Sequence, residues 1–567
     1  PSLPVPRHRI GPVVQALVLL SRQQGGADLS RHLEELVHAA DHFAGRTDPR
    51  AGPRTGSTHE PRPGSTSGPS RVRKPPAWAA AAADDPGFPD DAGWWARRLL
   101  SEVLLGVPDA RPYRGVLRLL ADRTVAGNLK GAFGPWFWRG LPLPERDRID
   151  LLRQLVVADG QAGSDRYLDA VGAWLRDDPE ALQPLLTRWF TDERPLPAAP
   201  DATVATAAQA LLHTHRHRAI DALTEALVAC AHPRGDELLA ALADDEPSAV
   251  CRAVDRWAHD ERPGRRVAAA AYGLRAAPRV TTEADRGLLR YAALALLARP
   301  ADCTLHGAAL ALLVRDPRTR ERHLPLALKR FEAGDPQLPA SALATALTTH
   351  PEPVIAAFRT RLREPSPTSG EVLRTLADVT TPALARRVAT LVRDFLELRP
   401  EAAAYAAGYV DRRLEHGPAA RAVLFPLVAG VLQSCPAQVR RDLAPVLAAH
   451  GTRASRALRL ELLDVLLDGE RDPAVLDEVL TTVATATARR GPAGTRALVH
   501  RIGALLVRTP EGAARFDRRL VELARAESGF AAPLARWLAD APQDWAALVG
   551  PSARRMIENL AGVRVPA

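Results

Sequence analysis

Lysine is almost missing from this chain, standing only at Lys74, Lys130 and Lys329, so arginine supplies nearly all of the 75 basic residues. With so much Ala, Pro, Leu and Gly alongside, this points to coding bias in a GC-rich genome rather than to selection for phosphate contacts. A high isoelectric point is then little evidence for nucleic acid. Cysteine is scarce too: Cys230, Cys251, Cys303 and Cys435 form no CxxC pair, which excludes a disulfide framework or a zinc ribbon. They read as small apolar residues in a reducing compartment. The longest early apolar run, Val13 to Leu20, is broken by Gln15 and is too short for a membrane span. The expectation is a cytoplasmic protein with no membrane partner. Sustained period-2 alternation, hairpin dipeptides between β-branched runs and a βαβ rhythm are all missing, which removes Rossmann, TIM-barrel and sandwich folds together.

What remains is globular in composition, 46% hydrophobic and 25% charged, so the bulk of the chain has enough apolar surface to fold. At 567 residues it exceeds one ordinary core and must be several domains or a quasi-linear array. Opening on Pro1, it is expected to be a trimmed or downstream piece of something longer. Of the formal +9, residues up to Ala77 carry +5 (11 Lys plus Arg against 6 Asp plus Glu), leaving 64 against 60, or +4, for the rest. The body is nearly neutral.

Three regions follow. Residues 1–45 hold two helix candidates, Pro12 to Arg22 and Ser30 to Phe43, around Gln24-Gly25-Gly26. Residues 46–90 turn to Pro, Gly, Ser, Thr and Arg, a composition that cannot offset its backbone entropy, and are expected to be a disordered linker. Residues 91–567 repeat one grammar: amphipathic segments with apolar positions at i, i+3, i+4 and i+7, as in Arg146 to Val157, Arg218 to Ala231, Leu288 to Leu297, Ala383 to Leu396, Ala419 to Leu432 and Leu458 to Leu467. Asp178-Pro179, Thr381-Pro382 and Asp472-Pro473 mark helix starts, with a cap followed by an N1 proline.

A repeat is visible. Arg188-Trp189-Phe190-Thr191-Asp192-Glu193-Arg194-Pro195 matches Arg256-Trp257-Ala258-His259-Asp260-Glu261-Arg262-Pro263, an offset of 68, twice a 34-residue helix pair. Trp-x-x-Asp recurs at Trp174 to Asp177 and Trp537 to Asp540. Tryptophan would close the apolar face in a helix's last turn, and the aspartate would take up orphan N–H groups of the next helix. The stretch Ala253 to Ala277, with Asp260 in the turn and Arg266 opening the run to Leu274, resembles a HEAT repeat. That resemblance implies an all-α solenoid of stacked antiparallel helix pairs, and a ladder in which Asp260 and Arg266 link successive repeats. Pro195 and Pro197, where a second helix should begin, depart from it. More broadly, Ala- and Arg-rich helical arrays also resemble the C-terminal sensor regions of bacterial signal-transduction ATPases.

Chemistry is sparse. His213-Thr214-His215-Arg216-His217, near Cys230 and His232, is the one metal-like cluster, but alternating histidines diverge on a helix and Arg216 repels a cation, so a solvated turn is expected and no metal. The acidic pairs Asp84-Asp85, Asp90-Asp91, Asp177-Asp178 and Asp244-Asp245 all sit at helix boundaries near a proline, where caps belong. No phosphate loop, HExxH or GxSxG occurs, so no catalytic or cofactor-binding residue is expected. The densest aromatic spot, Trp136-Phe137-Trp138, with Lys130 before it, Arg139 after it and Trp94-Trp95 upstream, is either a partner-binding patch or the cover of the first repeats' core end.

Arrays of this kind usually hold another protein or peptide on their concave face. The expected function is therefore a non-enzymatic interaction scaffold, or a sensor or regulatory module of a larger signalling polypeptide. The alternative is a nucleic-acid-binding HEAT-like protein of the DNA glycosylase type, against which the near-neutral body counts.

Overall fold

Prolines start the helices where the local grammar places them. In a computed structural model, helices Pro179–Leu186, Pro382–Leu398 and Pro473–Thr485 open on the residues named above. Asp178 accepts from Ala181 N at 3.3 Å, and Asp472 from Ala474 N at 2.8 Å. Proline loses nothing at N1, because that N–H has no partner inside the helix. The structure describes residues 9–23, 26–44, 91–127, 129, 133–160, 166–365, 368–527 and 529–562. The expected linker at 46–90 lies outside them. Helix makes up 81% of the structure.

The chain divides into two units, Pro1–Ala253 and Val254–Ala567. In the first, helix Arg114–Val125 packs on Glu145–Leu155, that on Pro179–Leu186, and that on Ile220–Cys230. A second row runs Asp91–Gly106, Pro135–Gly140, Tyr167–Asp177. The early helices, Ile10–Gln23 and Gly26–Ala44, join this stack rather than standing apart. Leu29, Leu33, Val37 and Ala40 bury one stripe of Gly26–Ala44, and Asp41 pairs with Arg123 at 3.1 Å.

In the second unit, helices two apart in sequence again lie side by side. One row runs His306–Arg315, Ala340–Ala344, Ser369–Ala377, Ala403–Leu414, Ala437–Ala448, Pro473–Thr485; the other runs Pro317–Glu332, Pro351–Arg363, Pro382–Leu398, Arg421–Ser434, Arg456–Gly469. Each helix seals its apolar stripe against near neighbours in sequence, the defining economy of a solenoid.

Arginines tie the rows across repeats. Arg412 pairs with Asp378 at 2.7 Å, 34 residues away, and Arg440 with Glu470 at 2.8 Å, 30 residues away. Arg501 reaches Asp464 at 2.5 Å and Asp468 at 2.6 Å. Arg459, only 3% exposed, bonds Asp411, Glu415 and the carbonyl of Val446. The expected ladder exists, but its partners differ from those the HEAT resemblance implied. Arg266 bonds Asp302 at 2.6 and 3.1 Å and touches Asp260 only through its backbone carbonyl. The Asp260 carboxylate instead closes its own turn on Arg262, whose side-chain and backbone N–H groups hold it well below the usual carboxylate range.

The two copies of the long motif show why its second half was ambiguous. Trp189 and Trp257 are both buried, and Asp192 closes on Arg194 as Asp260 closes on Arg262. After Pro263 comes helix Pro263–Ala276. After Pro195 comes a small antiparallel hairpin, Pro195–Leu196 with Ala199–Thr203, a departure from the strandless expectation. Pro197 bars Leu196 from the helical region and Pro200 would fall inside any helix begun at Pro195, so the chain turns back on itself. Trp174 and Trp537 are buried too, but Asp177 is exposed and pairs with Arg139, and the cap of the next helix is its neighbour Asp178.

Tyr409 is 1% exposed, and burial pushes its phenol up to about 12, with Arg413 pulling weakly the other way. A raised folded value means the stability contributed by the neutral phenol is intact below the unfolded value of about 10 and is lost as pH climbs towards about 12. In an alkaline titration followed by tyrosinate absorbance, Tyr409→Phe should delete the last transition. Ionisation of Tyr409 together with exposed tyrosines would contradict its burial.

Candidate functional site

One recess in the first unit is built from three elements. Helix Arg114–Val125 presents Arg114, Arg118 and Asp122 at intervals of four residues, hence on one face. Helix Glu145–Leu155 presents Asp147, Asp150 and Gln154 at three and four, with Arg153 beside them. The turn after Trp189 adds Asp192, Glu193 and Arg194. Arg118, Asp122, Arg153, Gln154 and the turn line a groove of about 860 Å³, while Arg114, Asp147 and Asp150 line a hollow of about 90 Å³ that shares Arg118, Arg153 and Gln154 with it.

Its electrostatics alternate. Arg114 pairs with Asp147. Asp192, 8% exposed, accepts from Arg194 at 2.7 and 2.9 Å and lies 3.8 Å from Arg153, while Arg194 also donates to the Arg153 carbonyl at 3.1 Å. Burial pushes the Asp192 carboxyl up, but the Arg194 hydrogen bonds and both positive charges outweigh it, so its value falls below the ordinary one. Glu193 is drawn outward to Arg234 at 2.8 Å. Arg118 is exposed and, among the described residues, has no carboxylate partner, leaving its guanidinium open on the groove wall.

Such a site can bind but is poorly made for proton transfer. A general acid needs a carboxyl kept neutral near working pH, and Asp192 is held ionised by two guanidiniums. The carboxyl that burial does raise, Asp159, is occupied in capping helix Tyr167–Asp177, accepting from Tyr167 N at 2.8 Å and Leu168 N at 3.0 Å.

The aromatic residues singled out in the sequence do not form one patch. Phe137 and Trp138 are fully buried, with Trp138 Nε1 donating to the Phe133 carbonyl at 3.0 Å and the Phe137 ring edge-on at 5.1 Å. Trp136, 36% exposed, and Arg139, paired with Asp177, face outward. Trp94 and Trp95 are half-buried and edge-to-face at 5.5 Å, but it is Leu105, roughly 16 Å further along their helix, that meets Gly140. Lys130 lies outside the described residues. The turn of the short helix Pro135–Gly140 explains the split, since Trp136 and Arg139, three residues apart, share the outer face while Phe137 and Trp138 turn inward.

The histidine cluster resolves into separate structural bonds. His213 Nε2 meets Asp245 at 3.1 Å, His215 Nδ1 the Leu211 carbonyl at 3.0 Å, and His217 lies 3.3 Å from Glu246. His232 accepts from Arg234 N, and Cys230 donates to the Leu227 carbonyl. Among the described residues, no group of three or more His, Cys, Asp or Glu could hold a metal ion. No described helix is long and apolar enough to cross a membrane.

Among solved structures, the chain is similar to the karyopherin Kap121p, crystallised bound to the SUMO protease Ulp1p, with 11% identity and a TM-score of 0.30 over 94% of this chain and 58% of that one. It is also similar to importin beta, with 13% identity and a TM-score of 0.26 over 98% of this chain and 67% of that one. The fold is HEAT-like on its own geometry: stacked helix pairs and a cross-repeat arginine ladder. The chain spans 58% of the length of Kap121p. No family model matches it, and no curated protein does.

Sequence reasoning missed the groove. Its one local signal was the polar face Arg114, Arg118, Asp122 on a helix whose other face, Val116, Leu117, Leu120 and Ala121, is buried; Asp192 and Arg194 reach the same place only through the stack.

Proposed function

We propose that this chain is a non-enzymatic scaffold that holds an extended segment of a partner protein, with the groove beside Arg118 as one of its seats. The observation that carries the proposal is an open, 860 Å³ polar recess whose charges are mostly paired but which keeps one exposed arginine free for a ligand. Alternating charge matches a polypeptide of mixed sequence, because backbone amides and both kinds of charged side chain find partners there. It suits a phosphate backbone poorly, since Asp122, Asp192 and Glu193 would repel it. A sensor or regulatory role within a larger polypeptide is the finer form of this reading. So is cytoplasmic residence, which the four free cysteines support.

Peptide display against the full chain tests the proposal. Selected peptides should lose about tenfold in affinity on Arg118→Glu, the loss of one favourable charge contact and the gain of a repulsive one. Peptides that bind the variant equally well would refute this seat. Duplex DNA binding that collapses steeply with added salt would favour the nucleic-acid reading instead.

A further inference from the structure

Between Asp442 and Glu461 the chain carries no acidic residue, and between Glu478 and Glu511 it again carries none. The fold of the second unit brings these two stretches together. Helix Ala437–Ala448 packs on helix Pro473–Thr485, and at their ends Arg490 donates Nη2 to the carbonyl of Ala448. That carbonyl belongs to the last, unpaired turn of its helix, where the dipole favours a cation. The contact sets Arg489-Arg490 against the turn His450-Gly451-Thr452, from which helix Arg456–Gly469 departs.

Four basic groups meet there without compensation. Arg456 and Arg489 are exposed and have no ion-pair partner among the described residues. Arg490 is half-buried, bonds only a carbonyl, and leaves its Nε enclosed without an acceptor. Burial lowers its value, and Arg456 lowers it further; His450 is lowered by burial and then by Arg456, Arg490 and Arg489 in turn. The neighbouring Arg459 shows the contrast. It caps the same helix through Val446 but is neutralised by Asp411 and Glu415, and Glu415 is also bound by Thr452. The carboxylates at this turn are therefore already engaged. Elsewhere the ladder pairs arginine with acid; here like charges stand together at a cost that an incoming anion would relieve.

We propose that His450, Arg456, Arg489 and Arg490 form a docking surface for an acidic segment of a partner protein. The patch spans two turns with no exposed aromatic among its residues, so it offers nothing for bases to stack on. The next arginine along the helix, Arg459, is neutralised by Asp411 and Glu415, which interrupts the long basic stripe a nucleic acid backbone follows. Several separated carboxylates on a flexible peptide fit that spacing. The surface is independent of the groove near Arg118 and stands whether or not that groove binds.

Fluorescence anisotropy with the full chain and a short labelled polyglutamate peptide tests it. Wild type should bind, more weakly as salt rises, and Arg456→Glu with Arg489→Glu should weaken binding at least about tenfold. Arg118→Glu should leave it unchanged. Because Arg456 and Arg489 are exposed, thermal melting of the double variant should match wild type, confirming that the fold is intact. Equal binding by the double variant overturns the proposal. So does an oligothymidylate that outcompetes the peptide and loses affinity in the same variant, since the surface would then serve nucleic acid.

Discussion

Arg440→Ala should lower the opening free energy of helices Ala437–Ala448 and Pro473–Thr485 by about 3 kcal/mol, measured by native-state hydrogen exchange. Glu470 is 3% exposed and accepts from Arg440 at 2.8 and 3.1 Å, from Arg471 N at 2.9 Å and from Asp472 N at 2.8 Å. Removing the guanidinium strands a buried carboxylate, which costs far more than an exposed ladder pair is worth. The two backbone N–H groups remain, so the loss falls at the lower end of the range for a broken buried pair. Long arrays do not unfold as one unit, which is why a local observable is needed.

The pH dependence gives a second signature. Burial pushes the Glu470 carboxyl up, but Arg440 and the two N–H groups outweigh it and set it below the ordinary value. A lowered folded value means stability present above the unfolded pKa, about 4.3, and lost as pH falls through the folded one. In the variant burial wins, Glu470 takes up its proton earlier, and the penalty should shrink as pH drops below about 4. Replacing both partners, Arg440→Met with Glu470→Met, should restore part of the loss, because no charge is left buried although the N–H groups of Arg471 and Asp472 lose their acceptor. A single-variant penalty independent of pH would mean that lost packing, not the stranded charge, is responsible.

Trp138→Ala should cost about 3 to 5 kcal/mol, and Trp136→Ala about 0.5 kcal/mol or less. The residues are two apart in one short helix, but Trp138 is fully enclosed and Trp136 is 36% exposed. Removing Trp138 leaves a cavity beside Phe137 and takes away one of the two donors to the Phe133 carbonyl, the Tyr167 hydroxyl at 2.8 Å remaining. Native-state hydrogen exchange in the helices around Pro135–Gly140, compared between the two variants, decides what the aromatic spot is. Comparable small effects would return it to the surface.

That contrast shows where the sequence could be read and where it could not. Helix starts at Pro179, Pro382 and Pro473 were legible because their cause is local: a cap, then a proline whose missing N–H is free of cost. The early helix candidates and the amphipathic segments came through within a few residues for the same reason. The Trp-x-x-Asp turns were half legible. Burial of the tryptophans followed from periodicity, but whether a helix or a hairpin came next was decided by Pro197 and Pro200. The ladder was foreseen as a type and missed as a pairing. Asp302 lies 36 residues from Arg266, and nothing in sequence distinguishes it from other acids nearer by. The aromatic spot stayed open between two readings because composition cannot tell which side of a six-residue helix faces the core. The groove and the basic surface each draw on separate helices, although the acid-free stretches after Asp442 and Glu478 are plain in the sequence.

The central claim is that each unit is a sequence-ordered stack in which a helix depends on its near neighbours. Exchange rates along the whole second unit of the Arg440→Ala variant test it most directly. Protection should fall in helices from Ala403–Leu414 to Pro492–Leu506 and stay at wild-type level in Pro263–Ala276 and Glu283–Leu297. A uniform loss across the unit would contradict the stack and require a single shared core.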